Sequence, residues 1–476
     1  MMMGIYLIGA VLISLALFAN RNKTLNYLLV SIFTILQWAL TIYEYQHQDI
    51  TQSVYFTPDA LAIIFLVTLS IICVPAFWHS YIFFATDKDI PRERGIYFTS
   101  MVLLITALSA AYLSNNIAIT WIFVEITTLS ASALIYHRRN VRTLEGTWKY
   151  VFVCSISITF VFIGILFLTV AVQQAGIKDL NYKVLLSDAR LFNVFWLKLA
   201  FLFIFTGFTS KAGLVPMYTA GIDAKDKAPS PAGALFGSVL MNVGFLGIFR
   251  FYEIISHTSI FPWANKILLI SGVLSIFVAT VYILKVKNFK RLFAYSSVEH
   301  MGLIMLGLAA GGIGYYAAIL HIVLHSFAKS TMFFQIGQVY RIYKSKSIYD
   351  AGNYFKYNLA GALVLLFGFF IITAMPPSGM FISEFLIFRS LFESNHFWLL
   401  SIVLLLLTMI IWAFGKNIFK ILFIKPVGFN EAAIEKIRPV ESLSQYIFLT
   451  LVIYLGLNPP AAFVNLINNA IQHLPK

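Results

Sequence analysis

Three titratable residues recur at regular spacing within one apolar stretch. His321, His325 and Lys329 lie at positions i, i+4 and i+8, which places them on one face of a helix over about 12 Å. Imidazole exchanges protons near neutral pH, and a lysine does so when burial disfavours its charged form. One or two water molecules can bridge each step. The spacing therefore predicts a proton relay.

Other ionisable residues interrupt apolar runs elsewhere. Glu125, Lys211 and Glu384 each stand within such a run. A charge in hydrocarbon is costly, so each of these residues needs a partner, a water-filled pocket or a change of protonation state. All three are therefore candidate functional residues, and a purely structural salt bridge is the alternative for Glu125 and Lys211. For His300, both structural hydrogen bonding and proton transfer remain open.

The composition identifies the environment of these residues. The 476-residue chain is 60% hydrophobic and 11% charged, with a mean hydropathy of +0.83, whereas soluble domains are about a quarter charged. This predicts an all-α membrane protein. The net charge of +14 comes from short Lys and Arg clusters between apolar runs, a pattern typical of membrane loops, so nucleic acid is not an expected partner.

Apolar runs long enough to cross a bilayer predict about fourteen transmembrane helices. They lie near residues 3–19, 25–43, 61–85, 95–113, 115–136, 149–173, 194–220, 230–252, 265–287, 292–312, 314–340, 357–388, 398–420 and 440–456. The stretch 175–192 is more polar and is predicted to lie at the interface. Only a short tail is expected after the last span.

Proline interrupts two of the predicted helices. Pro216 falls in the seventh helix, and Pro376 and Pro377 fall in the twelfth. Paired interruptions in corresponding positions indicate a repeated transporter unit, although two unrelated kinks remain an alternative. We predict inverted five-helix repeats formed by helices 4–8 and 9–13. The corresponding regions are residues 1–94, 95–252 (first repeat), 253–422 (second repeat) and 423–476 (last helix and tail).

The cysteine content bears on cofactors. Cys73 and Cys154 both lie in apolar runs, and the sequence contains no CxxC motif. We therefore expect no metal, iron–sulfur centre or other cofactor in this chain.

Six segments together resemble one protein family: residues 121–129, 210–219, 227–231, 290–297, 321–329 and 376–385. The family comprises the antiporter-like proton-channel subunits of respiratory complex I, Mrp-type cation/proton antiporters and group 4 nickel–iron hydrogenases. The resemblance implies fourteen helices with inverted repeats. It also implies proton transfer by Glu125, by Lys211, by the eleventh-helix stripe and by Glu384, with Glu125 close to Lys211.

The chain departs from the family pattern on the eighth helix. Asn242 stands where many members have Lys or His, and an amide can hold a water molecule but cannot carry the proton. This residue and its context look most similar to the F-type subunit of hydrogenase-4 and formate hydrogenlyase complexes. The implied partners are other membrane and peripheral subunits, the lipid bilayer, and protons, with sodium as an alternative ion.

Three functions follow from these observations. The first is a proton-translocating subunit of a redox-driven complex, without a redox centre of its own. The second is an Mrp-type sodium/proton antiporter or the membrane subunit of an inorganic-carbon uptake system. The third is a non-conducting scaffold, which would have no reason to bear the desolvation cost of Glu125, Lys211, Lys329 and Glu384.

Loop charge predicts the orientation in the membrane. Most of the 34 Lys and Arg residues lie in loops after odd-numbered helices, which places these loops in the cytoplasm of a prokaryote and both termini on the opposite side of its inner membrane. Cysteines introduced at Arg139 and Lys346 should react with an impermeant maleimide only from the cytoplasmic side. A cysteine in the C-terminal tail should react from the opposite side. Cytoplasmic labelling of the tail would contradict the predicted helix count.

Overall fold

The computed structural model describes residues 2–48, 50, 55–86, 89–426, 429 and 434–475. This part of the chain is helical, with a few isolated bridges between extended residues. The first eleven helices are α1 (Met2–Ala19), α2 (Lys23–Gln46), α3 (Ala60–Thr86), α4 (Pro91–Leu113), α5 (Ile117–Ile135), α6 (Val141–Gln174), α7 (Tyr182–Ser187), α8 (Val194–Ala212), α9 (Thr219–Lys227), α10 (Ser230–Gly237) and α11 (Val239–Ser256). The others are α12 (Phe261–Lys285), α13 (Phe289–Ala310), α14 (Ile313–Tyr343), α15 (Tyr354–Tyr357), α16 (Leu359–Ile372), α17 (Gly379–Glu393), α18 (Phe397–Phe423), α19 (Leu443–Leu457) and α20 (Ala461–Ala470).

Most of these helices are suited to a bilayer. Within the described residues, 13 helices are long and apolar enough to cross a membrane, and α16 is a shorter apolar helix. The predicted all-α membrane protein with about fourteen spans is therefore confirmed. The polar stretch 175–192 contains the short α7 and a 3₁₀ turn, Ala189–Leu191.

The two predicted interruptions are present. The segment that contains Pro216 separates α8 from α9, and the segment that contains Pro376 and Pro377 separates α16 from α17. Proline lacks an N–H group and clashes with the preceding helical turn, which favours a helix end at both of these places, whereas α3 continues through Pro75.

A third interruption was missed from the sequence. The predicted span 230–252 is divided at Ser238 into α10 and α11. The backbone of Ser238 leaves the helical region, with φ −126° and ψ −97°, and its hydroxyl donates to the Ala234 carbonyl oxygen at 2.6 Å. No proline marks the position, which is why the pattern of apolar residues gave no warning.

The C-terminal tail is also more ordered than expected. Instead of a simple tail, the chain forms the ten-residue α20 after Pro459 and Pro460. The Pro460 carbonyl oxygen accepts hydrogen bonds from the N–H groups of Phe463 and Val464. Proline ends one helix and suits the start of the next, so the pair separates α19 from α20.

The chain divides into two compact units. The first comprises residues 1–228, 239–267 and 465–475, and the second comprises residues 229–238 and 268–464. Three helices of the first half have counterparts 170–172 residues later: α4, α5 and α6 begin at Pro91, Ile117 and Val141, and α12, α13 and α14 begin at Phe261, Phe289 and Ile313. This spacing agrees with a repeated five-helix pattern. The domain boundaries and the inverted insertion of the second copy stay predictions.

Backbones approach closely where α11 packs on α8 in the first unit. A Cβ atom added to Gly244 would lie 2.2 Å from the Ala212 nitrogen and 2.7 Å from the Lys211 carbonyl carbon. Small residues allow helices to approach in this way in membranes. Gly244 therefore fixes α11 against the end of α8, where Lys211 is located.

Substitution of Gly244 tests this contact. Gly244→Ala should lower the free energy of unfolding of the purified protein in detergent by about 1–3 kcal/mol, because rigid backbone atoms must move apart. A lower melting temperature reports this loss. Gly4→Ala in α1 is the matched control, since nothing lies within 4 Å of the added carbon. Equal melting temperatures for both variants would show that the close approach does not constrain the fold.

Candidate functional sites

Lys211 is held by hydroxyl groups inside the first unit. It lies in the last turn of α8 and is 4% exposed. Its ammonium donates to the Thr128 hydroxyl of α5 at 2.8 Å and to the Tyr150 hydroxyl of α6 at 3.2 Å. Residues from three helices thus meet at one cation. Neither Thr128 nor Tyr150 was predicted as a site residue.

Glu125 is connected to Lys211 through Thr128. The Thr128 hydroxyl donates to Glu125 Oε2 at 3.2 Å while it accepts from Lys211. Glu125 and Lys211 are both fully described, and no ion pair within 4 Å joins them. The structure therefore brings the two predicted residues into one cluster but separates their charges by a neutral hydroxyl group.

Asn242 lies near this cluster. It is fully buried in α11, next to Met241 and two residues before Gly244. Gly244 packs on the backbone of Lys211 and Ala212, and Met241 contacts a second buried lysine, Lys225. The structure thus places Asn242 on a segment that touches both lysines.

Lys225 falls in the loop between the predicted spans 194–220 and 230–252. In the structure it lies in α9, outside the apolar spans, and is 2% exposed. Its ammonium contacts Met241 Sδ at 3.1 Å, a weak acceptor. No carboxylate of the described chain pairs with it within 4 Å. Burial lowers the pKa of Lys225 to about 7. In the sequence, Lys225 lies two residues before Lys227, and no local feature distinguishes one lysine from the other.

The predicted stripe on α14 is buried in the second unit. His321, His325 and Lys329 are all 0% exposed. His321 Nδ1 lies 2.8 Å from Ser383 Oγ of α17. The Lys329 ammonium donates to the Ser296 hydroxyl of α13 at 2.7 Å. The helical spacing therefore does place the three residues along one interior path.

His300 joins this path to two carboxylates. His300 Nδ1 lies 3.2 Å from His321 Nε2, and the ring centroids of His300 and His325 lie 5.3 Å apart. The same Nδ1 lies 3.5 Å from Glu299 Oε1 and 3.7 Å from Glu384 Oε1. The structure thus brings five predicted residues together and adds Glu299, which was missed. The feature of the sequence that could have indicated Glu299 is its position directly before His300.

Part of this cluster has the spacing of metal ligands. Donor atoms of His300, His321 and Glu384 lie within 4.8 Å of one another. Both nitrogens of His321 already lie within hydrogen-bonding distance of Ser383 and His300. A connected chain of imidazole and carboxyl groups is better suited to proton exchange than to a metal ion, which would have to displace these hydrogen bonds.

The fold and the two sites together define a class of membrane protein. Its members have many spans, interrupted helices and buried ionisable residues inside each of two units. The chain belongs to the NADH:quinone oxidoreductase/Mrp antiporter transmembrane family, whose pattern matches residues 114–410. A similar protein is the hydrogenase-4 component F homolog of Methylacidiphilum infernorum, 30% identical over 349 residues that cover 72% of this chain and 73% of the relative. The predicted resemblance is therefore confirmed.

Solved structures agree on the fold. A chain of the membrane-bound sulfane sulfur reductase, an archaeal respiratory membrane complex, superposes with a TM-score of 0.87 at 21% identity and covers 99% of this chain and 96% of that one. A chain of the Mrp complex from Dietzia sp. DQ12-45-1b gives a TM-score of 0.82 at 15% identity, with 98% and 95% covered. Both are subunits of multisubunit membrane complexes.

Lys225 generates a prediction about pH and stability. The unfolded chain holds this proton up to the ordinary lysine range, whereas the folded chain releases it near pH 7. The free energy of unfolding should therefore rise with pH between about pH 7 and the ordinary lysine range. Below about pH 7 both states hold the proton, so this increase is absent. Lys225→Met should be more stable than the parent by a few kcal/mol at about pH 6, and the gain should shrink at about pH 9.

Thermal unfolding in detergent across this pH range measures the effect. Lys149→Met is the control, because Lys149 is exposed and its pairing with Glu145 lies at the surface. A stability gain for Lys225→Met that does not change with pH would contradict a charge-dependent burial cost at Lys225.

Proposed function

We propose that this chain is the proton-translocating membrane subunit of a redox-driven multisubunit complex of the hydrogenase-4 type. Family membership and the similarity to a hydrogenase-4 component F homolog support this assignment. The other subunits supply the electron-transfer chemistry, and this chain supplies a path for protons. Its location is the inner membrane of a prokaryote, with both termini on the non-cytoplasmic side.

The observation that carries the proposal is the environment of Lys211. Its buried ammonium donates to the hydroxyl groups of Thr128 and Tyr150, and no carboxylate pairs with it directly. Neutral partners compensate a buried charge only in part. Movement of Glu125 toward Lys211 would stabilise the charged lysine, and withdrawal would favour release of its proton. Such a change of distance couples conformation to proton transfer.

The α14 stripe performs the corresponding task in the second unit. Lys329, His325 and His321 provide successive exchange sites, and His300 continues the path to Glu384. Asn242 holds water at the eighth span of the first unit and carries no proton itself. Each unit thus contains its own group of exchangeable protons.

Sodium/proton antiport is the second candidate, because the family includes the Mrp antiporters. Sodium binds to several oxygen ligands, as hard cations do. The two sites here present amines and imidazoles at their centres, which favours the proton. A scaffold without conduction is disfavoured by the cost of burying Lys211 and Lys329.

Substitution of Lys211 tests the function. Lys211→Met should lower proton translocation by the reconstituted complex at least about tenfold, because the exchangeable group is lost. Lys211→Arg should also fail, since a guanidinium group does not release its proton. Thr128→Val should lower the rate while the lysine remains. The measurement is proton uptake into proteoliposomes during turnover, with and without sodium.

Lys198→Met is the matched control on the same helix, because Lys198 lies over Trp263 near the other end of α8. It should translocate protons normally. Glu125→Gln combined with Lys211→Met should impair assembly less than the two single defects predict, because the charges are removed together. Normal translocation by Lys211→Met would refute the proposed function, and strict sodium dependence would favour the antiporter.

A further inference from the structure

Glu299 is an acidic residue inside the second unit that the relay described above does not use. It lies on α13 and is 3% exposed. Its carboxylate oxygen Oε1 lies 3.5 Å from His300 Nδ1. Ser296, three residues before Glu299 on the same helix, accepts a hydrogen bond from Lys329, so its hydroxyl group lies about one helical turn from the acid.

A related arrangement occurs in the first unit. There, Thr128 accepts from Lys211 and donates to Glu125, three residues away on the same helix. Ser296 and Glu299 are also three residues apart, in the opposite order along the chain. Helices α5 and α13 begin 172 residues apart, at Ile117 and Phe289, so the two acids stand near corresponding positions on these helices. The two lysines come from different helices, Lys211 from α8 and Lys329 from α14.

Glu299 also faces a cavity. A space of about 200 Å³ is lined by Ser296, Glu299 and Glu384, by Thr373 and Ala374 at the end of α16, and by apolar residues of α17 and α18. This volume admits several water molecules, and the polar groups can hydrogen-bond to them. Both carboxylates therefore line one space large enough for water beside the Lys329 path.

We propose that Glu299 and Glu384 form a site that holds one exchangeable proton between two carboxyl groups, and that protons reach it from Lys329 through Ser296. This inference rests on the proposed function. When the proton is bound, one group is a carboxylic acid and the other a carboxylate; release into the cavity leaves two carboxylates. Their mutual repulsion then favours uptake of the next proton from the lysine.

The charges around the site fit a proton better than a metal cation. Lys329, His321 and His325 approach from α14, His300 lies between the two acids, and Glu384 comes from α17. The α16 and α18 walls present Thr373 and Thr408 as their polar side chains. Hard cations such as sodium prefer oxygen ligands, whereas the amine of Lys329 and three imidazole rings surround these acids with nitrogen groups. A proton needs only the two carboxyl groups.

Dicyclohexylcarbodiimide, which modifies protonated carboxyl groups in apolar surroundings, tests the site in the intact complex. At neutral pH, peptide mass spectrometry should detect modification at Glu299 or Glu384, and the labelling should decrease as the pH rises. In Glu299→Gln, labelling of Glu384 should fall several-fold. A single carboxylate beside Lys329 and His300 binds a proton less tightly, because the repulsion from the second carboxylate is gone. Translocation should fall as well.

Glu299→Asp, which keeps the carboxyl group, should retain part of both the labelling and the transport. Glu393→Gln is the control at the exposed end of α17, where Glu393 pairs with Arg389; it should change neither. Unchanged Glu384 labelling and normal transport in Glu299→Gln would overturn the inference. So would protection by sodium without any effect of pH. Neither result changes the outcome expected for Lys211→Met. Failure of this inference can therefore be distinguished from failure of the proposed function.

Discussion

A buried ammonium group in a region that lipid surrounds must be compensated by the protein itself. Lipid offers no hydrogen bonds, so the donors of Lys211 depend on acceptors within the protein. Thr128 and Tyr150 accept from two of its three N–H groups. This requirement explains why α5, α6 and α8 meet at one point, and why small residues are needed nearby for helices to approach.

The two proline interruptions also concern how the protein accommodates buried ionisable groups. Lys211 lies in the last turn of α8, before the Pro216 break, and Glu384 lies in the second turn of α17, after the Pro376–Pro377 break. Close backbone contacts fix the ends of these broken helices. Gly244 packs on Ala212, and a Cβ added to Gly379 would lie 2.2 Å from the Val452 carbonyl oxygen. The broken ends are thus held by rigid neighbours while their titratable side chains face polar groups.

A hydroxyl bridge differs from a direct ion pair in its consequences. A direct pair between Glu125 and Lys211 would hold both residues charged and resist change. With Thr128 between them, Lys211 and Glu125 share one hydrogen-bonded hydroxyl group instead of an ion pair. In the second unit, the Ser296 hydroxyl accepts from Lys329 and stands three residues before Glu299 on α13. In each unit a buried lysine is thus held by a hydroxyl group on the helix that carries a buried acid.

The sequence alone determined the spans, the two proline breaks and the common face of His321, His325 and Lys329. Hydrophobic runs, proline and helical periodicity are local properties, and they act within a few residues. Most of the individual residues assigned to the sites could also be identified, since ionisable residues in apolar runs are rare.

Only the tertiary structure decided which groups touch these residues. Thr128 lies 83 residues before Lys211, and Ser296 lies 33 residues before Lys329. Neither hydroxyl residue differs locally from the many serines and threonines of other spans. Lys225 and Glu299 became notable only through burial, and the interruption at Ser238 is not marked by a proline. Contacts between distant segments depend on helix packing, which no local pattern encodes.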